Sequence, residues 1–143
     1  MREYFAEGID KELMAAAEKA REKAYTPYSH FQVGAAILCA DQEIITGCNI
    51  ESASYSPTNC AERTAFFKAV SEGKRGFLKI AVTGGPEGQA GVFCPPCGVC
   101  RQVMREFASP DDFTVLLRAD EGKVREYTLS ELLPESFGPE NLA

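Results

Sequence analysis

The chain carries the stretch CAER at residues 60–63 and the stretch PCGVC at residues 96–100. Together they supply three thiols, those of Cys60, Cys97 and Cys100, and the carboxyl group of Glu62. Three protein ligands leave a tetrahedral zinc ion one open position for water, as in catalytic zinc sites, whereas four ligands make a closed structural site. In an open site, Glu62 would be available to move protons beside a metal-activated water.

All three thiols fall at predicted helix starts. We predict one helix over about residues 60–71 and another over about residues 97–107. Because positions i and i+3 share a helical face, Cys97 and Cys100 can bind one ion together. The partial positive charge at a helix N-terminus also lowers thiol pKa values, which favours the thiolate that a metal needs.

Charge sets a condition on such a site. Three thiolates give the zinc centre a net negative charge, which should make the ion a poor acid for its bound water. Arg63, three residues after Cys60 on the same helical face, can donate hydrogen bonds to the thiolates. The hypothesis of an open three-cysteine site therefore depends on Arg63 and on the helix dipoles.

Simpler interpretations stay open at this point. The stretch NCAE at residues 59–62 also fits a capping box, in which Glu62 would only bind a backbone N–H. Cys94 offers a fourth thiol, which would allow a closed structural zinc site in a protein without catalytic activity. Cys39 and Cys48 fall in predicted strands and are expected to be buried apolar residues. His30 is the only histidine, and we expect a structural role for it.

Composition limits the class of protein. A length of 143 residues fits one domain, which we predict to cover residues 1–143. An apolar fraction of 45% and a charged fraction of 25% are ordinary for a soluble globular protein. The net charge of −6 argues against nucleic acid as a partner, because such partners usually require a basic face.

Neither export nor membrane insertion is indicated by the sequence. Residues 1–8 lack the apolar segment of a signal peptide, and no run approaches the roughly 18 apolar residues of a membrane span. The six cysteines are therefore better explained as free or metal-bound thiols in a reducing cytoplasm than as disulfides. We expect a cytoplasmic protein without a membrane partner.

Helices and strands alternate along the predicted chain. The helices are expected over about residues 10–24, with Asp10 as N-cap, 60–71 and 97–107, and a short one after a capping box at residues 128–131. The strands are expected over residues 33–39, 44–48, 78–83, 113–117 and 124–127, with a loop at 84–91. This order predicts an α/β fold of three layers, in which helices flank one mixed five-stranded sheet.

The combination of motifs resembles a known family. CAER at 60–63 with PCGVCRQ at 96–102 is similar to the small homotetrameric cytidine deaminases of pyrimidine salvage. The zinc deaminases include a three-cysteine type of site. The likeness spans nearly the whole chain and includes YSHF at 28–31, VGAA at 33–36, GCNIE at 47–51 and LLP at 132–134.

This resemblance implies a role for each matching position. The three thiols would hold one Zn²⁺ per chain, and Arg63 would neutralise part of their charge. Glu62 would take a proton from the zinc-bound water, pass it to ring N3 and later help ammonia leave. Zinc-bound hydroxide would attack C4 of cytidine or 2′-deoxycytidine, giving uridine or 2′-deoxyuridine.

The resemblance also implies the substrate contacts. The backbone N–H of Ala61 would meet the pyrimidine O2, and Phe31 would stack on the base. Asn49 and Glu51 would hold the ribose hydroxyls, since alternate positions of an extended strand share a face. The substrate would thus be a small nucleoside.

Two further positions are implied to act between subunits. Tyr55 and Phe137 would reach a neighbouring subunit's site in a homotetramer with shared active sites. Pro95 stands where the family often has serine, but its carbonyl remains able to contact the substrate amino group. The family pattern places Cys97 and Cys100 on zinc, and not Cys94.

Two related activities compete with this interpretation. The stretch NIE at residues 49–51 favours ordinary ribosides over a nucleoside antibiotic of the blasticidin type. The acidic chain and its small size disfavour a deaminase that edits polynucleotides. We therefore expect a small-molecule nucleoside as substrate and no nucleic acid polymer as partner.

Overall fold

The computed structural model describes residues 1–143 as a six-stranded sheet with helices on both faces. The strands are β1 Arg2–Phe5, β2 Phe31–Cys39, β3 Ile44–Cys48, β4 Phe77–Pro86, β5 Thr114–Arg118 and β6 Lys123–Thr128. The α-helices are α1 Gly8–Ala20, α2 Ala61–Ser71, α3 Gly98–Phe107 and α4 Leu129–Leu132. No helix combines the length and the apolar character that crossing a membrane requires.

The sheet has the order β1-β6-β5-β4-β2-β3. Only β4 and β5 are parallel, and the chain between them passes through α3, as a parallel connection requires. The predicted α/β class with a mixed sheet is confirmed, but the count of five strands is wrong. The sixth strand, β1, pairs antiparallel with β6, and its sequence REYF shows no alternation of polar and apolar residues that would reveal it.

Alternation along the strands builds one core on each face of the sheet. On β2, Ala35 and Ile37 face the larger core, whereas Ala36 and Leu38 face the smaller one. The larger core lies against α2, α3 and α4, and the smaller core lies against α1. The ring of Phe66, which is fully buried, packs against three further phenylalanines, Phe77, Phe107 and Phe113.

The prediction that Asp10 is an N-cap is wrong. Glu7 holds that position in α1, and Asp10 lies in the first turn. Its carboxylate accepts hydrogen bonds from the Tyr4 hydroxyl at 2.7 Å and from the Lys79 ammonium at 2.8 Å. These partners on β1 and β4 fix the carboxylate against the sheet, which a pattern local to the helix cannot show.

The predicted loop at residues 84–91 is partly strand. β4 continues to Pro86, because Gly84 and Gly85 pair with β2. Glycine is depleted in strands, so the predicted strand stops at residue 83, three residues before the observed end of β4. The capping box predicted at residues 128–131 is confirmed at the start of α4.

The antiparallel pairing brings several chain ends to one end of the sheet. The start of β2 at Phe31 pairs with Pro86 at the end of β4. Two isolated bridges then bring later parts of the chain back to this end. Asn59 pairs with Ile50, two residues after β3, and Val92 pairs with Gly84. The N-termini of α2 and α3 follow directly, so the motif residues converge there.

Close packing of β3 on α2 gives a test of the fold. A Cβ on Gly47 would lie 2.5 Å from the Ala61 carbonyl oxygen and 2.5 Å from the Ala65 nitrogen. We predict that Gly47→Ala lowers the free energy of unfolding by about 1–3 kcal/mol, because backbone must move to admit the methyl group. Gly98→Ala is the control, since no atom lies within 4 Å of that added Cβ. Urea denaturation followed by circular dichroism measures both, and equal stabilities would contradict the prediction.

Candidate functional site

Two helix N-termini bring three sulfur atoms together. Cys60 is the N-cap residue of α2, Cys97 is the N-cap residue of α3, and Cys100 lies in the first turn of α3. The Cys97 sulfur is 3.8 Å from the Cys60 sulfur and 3.5 Å from the Cys100 sulfur. All three lie within 4.8 Å of one another.

The donor set fits a tetrahedral zinc ion. Zn–S bonds of about 2.3 Å imply separations of about 3.8 Å between the sulfurs, and the two sulfur–sulfur distances involving Cys97, 3.8 and 3.5 Å, are close to that value. Thiolate sulfur is also a preferred ligand of zinc. With three sulfurs bound, one tetrahedral position would remain open, which is the arrangement of a catalytic site.

The surroundings of the cluster favour a thiolate at Cys60. Its pKa is lowered to about 5, chiefly by a hydrogen bond from the Cys100 thiol and further by Arg63, against the effect of burial. The same hydrogen bond raises the pKa of Cys100. Nη2 of Arg63 donates to the Cys60 sulfur at 3.1 Å. The structure therefore places a guanidinium where an open three-thiolate site needs positive charge.

Cys94 lies outside this cluster. Its sulfur packs over Gly84, where an added Cβ would be only 2.8 Å away, and the side chains of Phe31 and Val33 meet at the same point. Burial raises the pKa of Cys94 to about 11, the opposite of the effect at Cys60. The geometry thus favours the site of three cysteines over the closed site of four.

Glu62 is buried at the start of α2, with 4% of its surface exposed. Burial raises its pKa to about 7, and the nearby Cys60 charge adds to that effect. The alternative capping box is absent, because Cys60 and not Asn59 is the N-cap residue of α2, and its side chain makes no capping hydrogen bond. Asn59 instead donates to the Thr64 hydroxyl at 3.1 Å. A buried carboxyl group beside three sulfurs is well placed for proton transfer.

Asn49 is bound across the beginning of β2. Its Oδ1 accepts from the Val33 N–H and its Nδ2 donates to the Phe31 carbonyl, both at 2.9 Å. These bonds hold the amide rigidly and leave it one further N–H and one lone pair. Phe31 is the first residue of β2 and is 37% exposed, so its ring can still take a partner.

Glu51 organises the turn that precedes β2. Its Oε1 accepts from the backbone N–H groups of Tyr28 at 3.0 Å and Ser29 at 3.2 Å, and hydrogen bonds from Ser29 hold its pKa below the ordinary value. The ring of Tyr55 meets Tyr28 edge-on at 6.3 Å. Glu51 and Tyr55 line a cavity of about 410 Å³, and the three thiols lie outside it.

The remaining candidates lie nearer the surface. The Phe137 carbonyl accepts a hydrogen bond from Gln102 at 2.9 Å, which ties the segment after α4 to α3. His30 is exposed, with a positive φ of 57°, and it does not belong to the cluster of possible metal ligands. Cys39 is buried as predicted, and Cys48 is partly exposed.

Two arginines support this end of the sheet without having been assigned from the sequence. Arg101 on α3 donates to the Pro96 carbonyl at 2.8 Å and to the Leu132 carbonyl at 2.7 Å. Its position four residues after Cys97, one helical turn along, is a signal that could have identified it. Arg21 is buried beneath the loop that follows β4, and its partners are too distant in sequence to leave a pattern.

Comparisons with known proteins find one family over most of the chain. A family model described as the cytidine and deoxycytidylate deaminase zinc-binding region matches residues 8–116. A cytidine deaminase from Sporosarcina psychrophila is 50% identical over 133 residues, which cover 93% of this chain and 94% of that protein. One from Halalkalibacterium halodurans is 52% identical over 130 residues, 91% of this chain and 95% of that protein. A crystal structure of cytidine deaminase from Burkholderia pseudomallei has a TM-score of 0.79 and 48% identity, and covers 88% of this chain and 97% of that one.

Single cysteine substitutions distinguish the open site from the closed one. We expect Cys100→Ser to lose most of its zinc and Cys94→Ser to keep it, because only Cys100 belongs to the sulfur cluster. Cys48→Ser controls for the loss of a partly exposed thiol elsewhere. Metal analysis of the dialysed proteins measures the difference. Loss of zinc from Cys94→Ser would instead support a closed structural site.

Proposed function

Because the chain belongs to the family of cytidine and deoxycytidylate deaminases, we propose that it hydrolyses cytidine and 2′-deoxycytidine to uridine and 2′-deoxyuridine, with release of ammonia. Membership of this family makes it a hydrolytic enzyme. The observation that carries the proposal is the meeting of three thiols at two helix N-termini beside one buried carboxyl group, that of Glu62. The net charge of −6 supports a nucleoside over a nucleic acid polymer as substrate.

The three cysteines would hold one zinc ion per chain. Zinc supplies, when bound, a Lewis acid that activates water for attack at C4 of the base. Arg63, whose guanidinium lies 3.1 Å from the Cys60 sulfur, offsets the negative charge of the thiolates. The dipoles of α2 and α3 act in the same direction, since both helices point their N-termini at the cluster.

Glu62 is the group that would move protons. Its carboxyl group is buried at the start of α2, one peptide unit from Ala61 and beside the sulfur cluster. It would accept a proton from the attacking water, deliver it to N3 of the ring and assist the departure of ammonia from C4. Burial keeps these protons from exchanging with bulk water during the reaction.

Different segments of the chain would contact the base and the ribose of the substrate. Ala61 is the first residue of α2, where a backbone N–H has no partner within the helix, so it can donate to the pyrimidine O2. Phe31 would stack on the ring. Asn49 keeps a free N–H for a ribose hydroxyl, and Glu51 keeps Oε2, because its two backbone bonds both use Oε1.

We further propose that four copies assemble and share their active sites. The two helices that begin at the cysteine cluster expose large apolar side chains. Phe67 on α2 is 47% exposed and Val99 on α3 is 57% exposed, and a neighbouring copy would cover them. Tyr55 and Phe137, at 73% and 59% exposed, would extend into neighbouring sites. The buried Nε of Arg63 has no acceptor within the chain, and an acceptor from a second copy would satisfy it.

We also propose a domain organisation, a cellular compartment and a metabolic role for the protein. Residues 1–143 would form one catalytic domain that acts in the cytoplasm, where it would return cytidine to the uridine pool in pyrimidine salvage. All six cysteines are free of disulfides, which supports a reducing compartment.

A cytidine assay tests the proposed reaction. We expect the wild type to remove the cytosine absorbance and release ammonia, and Glu62→Gln to lower kcat by about 10²–10⁴-fold while retaining zinc, because glutamine cannot carry the proton. Glu72→Gln, at an exposed glutamate beyond the end of α2, should leave kcat unchanged. A wild type that holds zinc but leaves cytidine intact would refute the proposal.

Light scattering tests the assembly. We expect a mass about four times the 15.6 kDa of one chain at the concentrations used for activity, because exposed apolar side chains lie on the helices of the site. A fully active monomer would contradict the proposal of shared active sites and leave the chemistry of Glu62 untouched.

A further inference from the structure

An ion pair beneath the loop after β4 has no part in the reaction described above. It joins Glu18 on α1 to Arg21 in the 3-10 turn that follows, at 2.6 Å. The Glu18 carboxylate also accepts hydrogen bonds from the Gly91 N–H at 2.9 Å, the Thr83 hydroxyl at 3.2 Å and Arg118 at 3.1 Å. Four donors thus converge on one carboxylate, which is far more than an exposed surface pair requires.

The Arg21 guanidinium binds backbone carbonyls at the substrate end of the sheet. It donates to the carbonyl groups of Gln32 at 2.8 Å, Gln89 at 3.0 Å and Pro86 at 3.4 Å. Gln32 adjoins Phe31 on β2, Pro86 is the last residue of β4, and Gln89 belongs to the loop that follows. One side chain, only 3% exposed, therefore ties the beginning of β2 to that loop.

Gly91, at the end of the loop, lies too close to this pair to admit a side chain, and Gly85 on β4 also packs tightly against it. A Cβ on Gly91 would lie 2.0 Å from the Thr83 hydroxyl oxygen and 2.5 Å from Oε2 of Glu18. A Cβ on Gly85 would lie 3.2 Å from Nη2 of Arg21. Burial alone would raise the pKa of Glu18, but hydrogen bonds from Gly91 and Arg21 hold it below the ordinary value. The carboxylate is therefore an anion bound directly to loop backbone.

Three contacts hold the segment between this loop and the zinc ligands. Upstream, Glu18 holds Gly91, and the next residue, Val92, donates its N–H to the Gly84 carbonyl at 2.7 Å. Downstream, Arg101 holds the Pro96 carbonyl at 2.8 Å, immediately before Cys97. Cys94 lies between these contacts, and its sulfur and the Phe31 ring both approach the same side of Gly84. Loss of the Glu18 bond would free the loop as far as Gly91 and leave the Val92 bond as the remaining support of Cys94 on that side, while Arg101 keeps Cys97 in place.

We propose that Glu18 and Arg21 are positioning residues that set the shape of the nucleoside pocket. They hold the loop at residues 87–91 against the beginning of β2, and so place Phe31 and Cys94 relative to the base. The inference rests on the proposed deamination of cytidine. Because Arg101 fixes the zinc-ligand end separately, the pair acts on substrate binding more than on metal binding.

The test compares Glu18→Ala and Glu18→Gln with Glu22→Ala in the full-length enzyme. Glu22 is an exposed glutamate one turn further along, so it controls for the loss of a carboxylate. For Glu18→Ala we expect KM for cytidine to rise about tenfold, kcat to change less than about threefold and zinc content to stay unchanged. Hydrogen exchange of the Gly91 amide should quicken about tenfold or more, since its acceptor is gone. Glu18→Gln keeps the size of the side chain and should show the same changes to a smaller degree.

The outcomes separate positioning from general stability. A merely structural role would lower Tm and the active fraction, so kcat would fall while KM stayed within about twofold of the wild type, and this result would overturn the inference. Unchanged amide exchange across residues 87–91 in both Glu18 variants would also overturn it. A wild type inactive towards cytidine would refute the proposed function instead, and exchange at Gly91 would still report on the anchoring by Glu18.

Discussion

Three sulfur atoms within 4.8 Å of one another can carry negative charge only if positive charge is supplied beside them. The chain supplies it through Arg63, one turn after Cys60 on α2, and through two helix N-termini. To place this positive charge at the sulfurs, Cys60 must be the N-cap of α2, Cys97 must be the N-cap of α3, and the two N-termini must lie close to each other. Gly47 helps to position the start of α2, because the absence of a side chain lets β3 lie directly against the first turns of that helix. The backbone position of Glu62 is then also fixed, since Glu62 follows Cys60 by two residues in a helix that begins at a defined residue.

The part of the site that local spacing determines could be predicted from the sequence. The thiols, Glu62 and Arg63 all belong to first helical turns, and regular helix geometry relates their positions. The three layers and the mixed sheet followed from the alternation of helix and strand patterns. By contrast, Phe31, Asn49 and Glu51 were assigned only through likeness to a family, because their spacing alone indicates no ligand.

Contacts between distant segments could not be predicted. Glu18 and Gly91 are 73 positions apart, and no periodic pattern links a helical glutamate to a loop amide. The same limit explains the failure at Asp10, whose carboxylate is held by partners on two strands. It also explains β1, whose four residues form a strand because β6 offers an edge, and not because their own pattern demands one. Tertiary partners decided each of these cases.

The strand β1 has a further consequence for how molecules of this protein can meet. An uncovered β6 would present a row of free N–H and C=O groups, which is a template for strand addition and aggregation. β1 occupies that row and replaces it with a short outer edge that bears Arg2 and Glu3. Charges and short length make such an edge a poor partner for another strand. Self-association by sheet extension is thereby discouraged on this side of the sheet.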